Sequence, residues 1–299
     1  MHRVKNLPKL GPRVKDTHKG DYGRVLVLAG SPGMTGAAYL CSKAALRSGS
    51  GIVTLGIPEG LNSIMETKLT CVMTYPLPET KKHTLSYKGR EKILELCEKH
   101  DIIAIGPGLS QQPETKKLIL WLIKSIDRTM VIDADGLNAL AGNLQILYRI
   151  KKSVVLTPHP GEMSRLINLC SAGDVQEKRL KIAAQFVQST HKRLGNEKSV
   201  VLVLKGSKTI VANYGKVYVN HTGNPGMATA GAGDVLTGII VSLIGQGLNE
   251  FDASQLGVYV HGLAGDMAKE KKGESSMIAS DMLDFLPDAF MRYRRVCKR

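Results

Sequence analysis

The sequence predicts an α/β fold: a three-layer α/β/α sandwich around a mostly parallel central sheet. Two patterns carry that expectation, short and continuously apolar runs closed by Gly or Pro, and helix-period segments that alternate with them. Strands buried on both faces read as unbroken apolar runs, and strand–helix alternation is what parallel crossovers require. Length adds a third: 299 residues with 43% hydrophobic content can bury one large core, so a single domain over residues 1–299 is expected.

The strand-like runs fall at residues 24–29, 51–56, 101–105, 129–132, 153–157 and 199–204. Helix-period segments lie between them at 36–47, 114–124, 161–168 and 175–194. The order changes after Lys205, where 209–212 and 216–220 flank Asn213-Tyr214-Gly215 and read as a β-hairpin. Helices at 233–244, 253–269 and 281–293 close the chain, and no repeat or linker-like tract divides it.

Composition removes several function classes. The longest apolar stretches fall short of the roughly 20 residues that span a bilayer, and residues 1–19 are basic with no apolar run of a secretory leader. A cytoplasmic protein without a membrane role is expected. Cys41, Cys71, Cys97, Cys170 and Cys297 are odd in number and widely spaced, which fits reduced thiols, mostly in the core. The formal charge of +15 is dispersed, and the basic clusters at 15–19 and 292–299 match no nucleic-acid reading motif. Attraction of a polyphosphate substrate accounts for that charge without a nucleic-acid partner.

The segment that carries chemistry runs from Asn224 to Asp234 and leads directly into an apolar helix. Small residues let backbone approach a phosphate, and the free amides and positive dipole end of a helix N-terminus attract it. Gly231, Ala232 and Gly233 would thus form an anion hole, with Asp234 beside it as the base for an attacking hydroxyl. A Gly-rich turn with a capping Asp is the rival explanation of the same four residues.

Gly231-Ala232-Gly233-Asp234 resembles the signature of ribokinase-like kinases, and the motifs around it narrow the resemblance. His18-Lys-Gly-Asp-Tyr-Gly23, Ala29-Gly30-Ser31, Met34-Thr-Gly-Ala-Ala38 with Ala44-Ala-Leu-Arg-Ser-Gly-Ser-Gly51, Ile105-Gly-Pro-Gly-Leu109, Val131-Ile-Asp-Ala-Asp-Gly-Leu-Asn138, Leu156-Thr-Pro-His-Pro-Gly-Glu162 and Val203-Leu-Lys-Gly-Ser-Lys-Thr209 are similar to those of NAD(P)H-hydrate dehydratases, in family order.

The resemblance implies phosphorylation of the ring hydroxyl of the S-form of hydrated NADH or NADPH, then loss of phosphate. ADP is the expected phosphoryl donor, with ATP second, and a small-molecule alcohol kinase is the alternative activity. It implies substrate contacts at Ala38, Gly108, His159 and Asp234, and nucleotide contacts at Lys205, Gly206, Ser207, Lys208, Thr209 and Gly233. Asp133, Asp135 and Glu162 are the candidates to steer hydrated Mg²⁺, although Asp133 and Asp135 serve equally well as turn caps. The family further implies a homotetramer and a hydrate epimerase, expected here as a separate chain because about 15 residues precede the first motif. Family members commonly carry Gly where this chain has Ala230, which would strain the loop if that position needs positive φ.

Overall fold

Continuously apolar runs become the centre of one ten-stranded sheet in the computed structural model, which describes residues 1–169, 171–194 and 198–296. Cys170 and Cys297 lie outside the described residues. In chain order the strands are β1 (His2–Arg3), β2 (Arg24–Leu28), β3 (Ile52–Pro58), β4 (Met73–Leu77), β5 (Ile102–Ile105), β6 (Thr129–Ile132), β7 (Val154–Leu156), β8 (Val200–Leu204), β9 (Ile210–Ala212) and β10 (Lys216–Val219). Across the sheet they run β1-β10-β9-β8-β7-β6-β5-β2-β3-β4. Pairing is parallel from β4 through β8, antiparallel at β8/β9 and β9/β10, and parallel again at β10/β1, so the predicted hairpin extends a parallel sheet and the short β1 closes that edge.

The helices are α1 (Thr35–Arg47), α2 (Asn62–Lys68), α3 (Arg90–Glu98), α4 (Pro113–Ser125), α5 (Asp135–Leu140), α6 (Pro160–Ile167), α7 (Ala172–Glu177), α8 (Arg179–Leu194), α9 (Ala232–Gly245), α10 (Glu250–Lys272) and α11 (Ala279–Val296). Period-2 alternation sends Leu26, Leu28, Ile103 and Ile105 to one face of the sheet, where Leu118 of α4 and Ile182 of α8 cover them. Val25, Val27, Ile102 and Ala104 face the other way, against Cys41 of α1 and Leu236 and Ile240 of α9. A third cluster joins α9, α10 and α11. Among the described residues, no helix is long and apolar enough to cross a membrane.

Three helices and two strands escape the sequence periodicity. β4 carries Pro76 and sits at the sheet edge, where a missing N–H costs no ladder bond. β1 is two residues long, and α2, α3 and α5 are six to nine, too short for a stable period. The single helix expected over 175–194 is two: α7 starts on the Ser171 hydroxyl, which accepts from Asp174 N at 3.1 Å, and the chain breaks at Lys178.

His18-Lys-Gly-Asp21 makes a reciprocal cap, with His18 Nδ1 accepting from Gly20 N and Asp21 Oδ2 from His18 N. A Cβ on Gly51 would lie 1.7 Å from the Lys19 carbonyl, so this turn packs at the starts of β2 and β3. Those are the strand ends opposite the candidate site. The helices over the other end are locked together: a Cβ on Gly238 of α9 would meet the Cys41 carbonyl of α1 at 2.2 Å.

Candidate active site

Parallel strands deliver their loops to one carboxyl edge, where ligands bind in open α/β sheets. Here Gly30 follows β2, Gly106-Pro-Gly108 follows β5, Asp133 follows β6, His159 follows β7 and Lys205 follows β8. The N-terminus of α9 lies against this edge, because the backbone at Gly233 passes close to Lys205 Nζ, 3.1 Å from where a Cβ would stand.

Gly231 is the N-cap of α9 at φ 92°, a left-handed conformation that favours Gly, and a Cβ there would fall 2.4 Å from Leu40 Cδ1. Val235 N is bonded to Gly231 O and Ala232 N makes a long bond of 3.4 Å to Thr229 O, so the amides of Gly233 and Asp234 are the open donors of the first turn. Ala230 is not among the residues with positive φ. The strain anticipated there is absent, since the conformational demand falls one residue later, on Gly231. The approach loop is tied to α10: Asp266 accepts from Gly223 N at 2.9 Å and from Asn224 Nδ2 at 3.1 Å.

Asp234 stands in that first turn, and its carboxyl is pushed up from 3.8 to about 7, first by burial and then by the nearby charge of Asp133. Lys205 opposes the shift. The carboxyl is therefore poised to exchange a proton near neutrality. Asp133, almost completely buried, accepts from Lys205 Nζ at 2.8 Å and from Thr237 Oγ1 at 2.7 Å. Burial pulls the Lys205 ammonium down, but Asp133 and Glu162, with Asp234, outweigh it and leave Lys205 above its ordinary value. Burial pushes His261 of α10 down to about 4 despite the pull of the Ala232 carbonyl, so it is neutral there.

His159 has a capping role that its motif concealed. Its Nδ1 accepts from Gly161 N and Glu162 N, while Glu162 Oε2 accepts from His159 N at 2.8 Å, so the pair caps α6. This repeats the His18–Asp21 geometry at the opposite end of the sheet. Burial, helped by Lys205 and Arg165, lowers the ring below its ordinary value. A neutral ring with Nδ1 accepting carries its proton on Nε2, which leaves a fixed outward donor.

Ala38 and Gly108 face protein. Ala38 is fully buried, with its Cβ 3.2 Å from where a Cβ on Gly30 would stand, and Gly108, at φ 61°, packs against Met34 and Ala37. The Gly108 carbonyl accepts from Ser31 Oγ at 2.8 Å. Both residues set how closely α1 approaches the loops, and any ligand would meet backbone at Gly108.

Among the proposed metal contacts, Asp135 satisfies the Ser110 amide at 2.8 Å and Asn138 Nδ2 at 3.2 Å, which is the turn-cap alternative. No three His, Cys, Asp or Glu side chains gather into a metal cage among the described residues. Among the described residues, Glu162 Oε1 accepts no hydrogen bond and has the His159 ring at 3.7 Å, so it retains capacity for a water. The donor set fits an ion that brings its own waters, and it does not fit one stripped to protein ligands.

The turn after β8 holds Gly206 at φ 132° and Lys208 at φ 55°, with Gly206, Ser207 and Lys208 exposed. Sequence reasoning missed what supports it. Arg179, at the start of α8, is buried and reaches the carbonyls of Leu204, Lys205 and Ser207. Only its burial distinguishes it from the other cations of that helix, and periodicity does not report burial of an arginine. Thr237 was missed likewise, one turn into an apolar helix.

A mostly parallel sheet with a helix N-terminus at its carboxyl edge, a carboxyl of raised pKa in that helix's first turn and a half-buried lysine beside it is the arrangement of a ribokinase-like fold. The comparisons agree. The family model described as NAD(P)H-hydrate dehydratase matches residues 25–288, and the chain belongs to that family. It is similar to the bifunctional NAD(P)H-hydrate repair enzyme Nnr of Moorella thermoacetica, 48% identical over 280 residues, covering 93% of this chain and 51% of that one. The corresponding enzyme of Thermofilum pendens is 40% identical over 286 residues, with coverage of 95% and 53%. The chain thus spans about half the length of these relatives. In structure it resembles the ADP/ATP-dependent NAD(P)H-hydrate dehydratase of Bacillus subtilis co-crystallised with ATP/Mg²⁺, with a TM-score of 0.78, 30% identity and 94% of each chain covered.

Proposed function

We propose that this chain dehydrates the S-form of hydrated NADH or NADPH, consuming ADP, with ATP the second choice, and thereby repairs damaged dinucleotide. The observation that carries the proposal is Asp234, held near neutral pKa in the first turn of α9 beside Lys205. Family membership and the resemblance to the B. subtilis dehydratase support the same reaction.

Asp234 takes the proton of the ring hydroxyl as that oxygen bonds to the terminal phosphorus and the nucleotide's bridging P–O bond breaks, leaving AMP from ADP. The amides of Gly231 to Gly233 hold the charge on the transferred phosphoryl oxygens, and Lys205 adds a cation beside them. Phosphate then leaves with the electrons of the ring C–O bond, and a ring C–H proton goes to solvent as the double bond returns. His159 Nε2–H and the backbone at Gly108 orient the dinucleotide, with Ala38 fixing the approach of α1. Lys205, Gly206, Ser207, Lys208 and Thr209 receive the nucleotide, together with Gly233. Mg²⁺, when bound, would neutralise phosphate charge, its waters meeting Glu162, while Asp133 and Asp135 would contribute negative charge from their bonded positions. We place the reaction in the cytoplasm, performed by a homotetramer that relies on a hydrate epimerase for the other stereoisomer.

The test is a coupled assay. Hydrated NADH, Mg²⁺ and protein with ADP should regain dihydronicotinamide absorbance and release AMP and phosphate. No recovery with either ADP or ATP defeats the proposal, and a stable phosphorylated alcohol in its place identifies a kinase.

A further inference from the structure

The turn at 205–209 contains two residues in the left-handed region, one of them a lysine, and such strain persists only where the surroundings impose it. Arg179 imposes it. Its Nη2 donates to Leu204 O at 2.7 Å and Lys205 O at 3.0 Å, and its Nη1 donates to Ser207 O. Thr209 Oγ1 donates to the remaining carbonyl, Gly206 O, at 2.9 Å. A planar trans peptide points its N–H away from its C=O, so the three carbonyls turned to Arg179 send the amides that follow them, those of Lys205, Gly206 and Lys208, the other way. Lys205 N meets Pro158 O at 2.8 Å, but Gly206 N and Lys208 N find no acceptor among the described residues. The fit is close: a Cβ on Gly206 would lie 3.2 Å from the guanidinium nitrogens. Beside this turn is a cavity of ≈ 590 Å³ to which Lys178, Arg179, Lys181 and Lys208 contribute cations and Glu177 one carboxylate, a net cationic surrounding at the turn.

We infer that Arg179 is the positioning residue of the nucleotide turn, holding its carbonyls inward so that the Gly206 and Lys208 amides meet an anionic oxygen of the nucleotide. The inference rests on the functional reading above for the identity of the ligand. Arg179 does not itself need to touch the ligand. Its work requires the forked geometry of a guanidinium, because a lysine carries the same charge but cannot span three carbonyls.

The experiment compares the full-length wild type with Arg179→Lys and Arg179→Met. ADP is titrated calorimetrically without dinucleotide, and KM for ADP and for hydrated NADH is measured in the coupled assay. Arg179→Lys should weaken ADP binding roughly tenfold, the value of one charge-assisted contact, and leave the KM for hydrated NADH within about twofold. Arg179→Met should weaken ADP binding at least as much. ADP affinity within about twofold of wild type in Arg179→Lys overturns the inference, as does an equal rise in both KM values. Failure of both variants to fold makes Arg179 a folding residue and also overturns it. If the wild type binds ADP in an Arg179-dependent way but dehydrates nothing, the proposed reaction falls and the positioning role stands.

Discussion

Replacing Asp234 with Asn should abolish activity and stabilise the protein at the same time. The carboxyl titrates near 3.8 in an unfolded chain and near 7 in the folded one, mainly because burial disfavours its charge. That difference corresponds to ~4 kcal/mol between protonation states, reduced to about 2 kcal/mol once relaxation and solvent access at a half-buried site are allowed for. The sign follows from proton binding. Between these two values the folded protein holds a proton that the unfolded chain has lost, so stability falls as pH rises from about 4 to about 7 and stays low above that. A neutral Asn escapes the penalty. At pH 8 the variant should melt roughly 4 °C above wild type, at about 2 °C per kcal/mol for a chain of this size, and the gain should vanish below about pH 4. Its kcat should drop at least about a hundredfold, and wild-type kcat/KM should decline as pH falls below about 7. Thermal melts across pH 4 to 8, with the coupled assay alongside, provide the check. A variant no more stable than wild type at pH 8 would refute the claim that Asp234 is charged at a desolvated site.

Lys205→Met should leave Asp133 buried with Thr237 as its remaining side-chain partner and cost about 3 kcal/mol, while Asp133→Asn in the same chain should recover much of the loss; denaturant unfolding of the single and double variants decides it. Gly231→Ala, at φ 92° with Leu40 in the way, should cost about 1–3 kcal/mol and lower kcat, whereas Ala230→Gly should change stability by no more than about 1 kcal/mol. His159→Asn retains an N-cap acceptor but lacks the Nε2–H donor, so KM for hydrated NADH should rise roughly tenfold with the melting temperature within about 2 °C of wild type.

Much of the fold was legible because the six central parallel strands are buried on both faces and their sequences show it. What failed was short or peripheral: β4 with its proline, and α2, α3 and α5, held by tertiary contacts in place of an apolar stripe of their own. In the site, Gly231 through Asp234 could be found because a helix N-terminus needs small residues followed by an acid. Asp133 and Lys205 were each visible, but their mutual bond was not, since 72 residues separate them. His159 drew attention as a ligand contact, and its capping role appeared only when Gly161 N and Glu162 N were seen to converge on Nδ1. Arg179 was invisible for a plainer reason: in sequence an arginine on a basic helix reads as a solvated charge.

The bare methylene of Gly238 sets a gauge for the whole reaction. Because α1 begins beside the Gly108 loop and α9 begins at Asp234, the seam where Gly238 meets the Cys41 carbonyl fixes how far apart the proposed dinucleotide contact and the proposed base stand. A single methyl there, remote from any ligand, would wedge the helices and lengthen the gap that the hydroxyl must cross. Rate would then be lost through misplaced spacing, with every reacting group still intact.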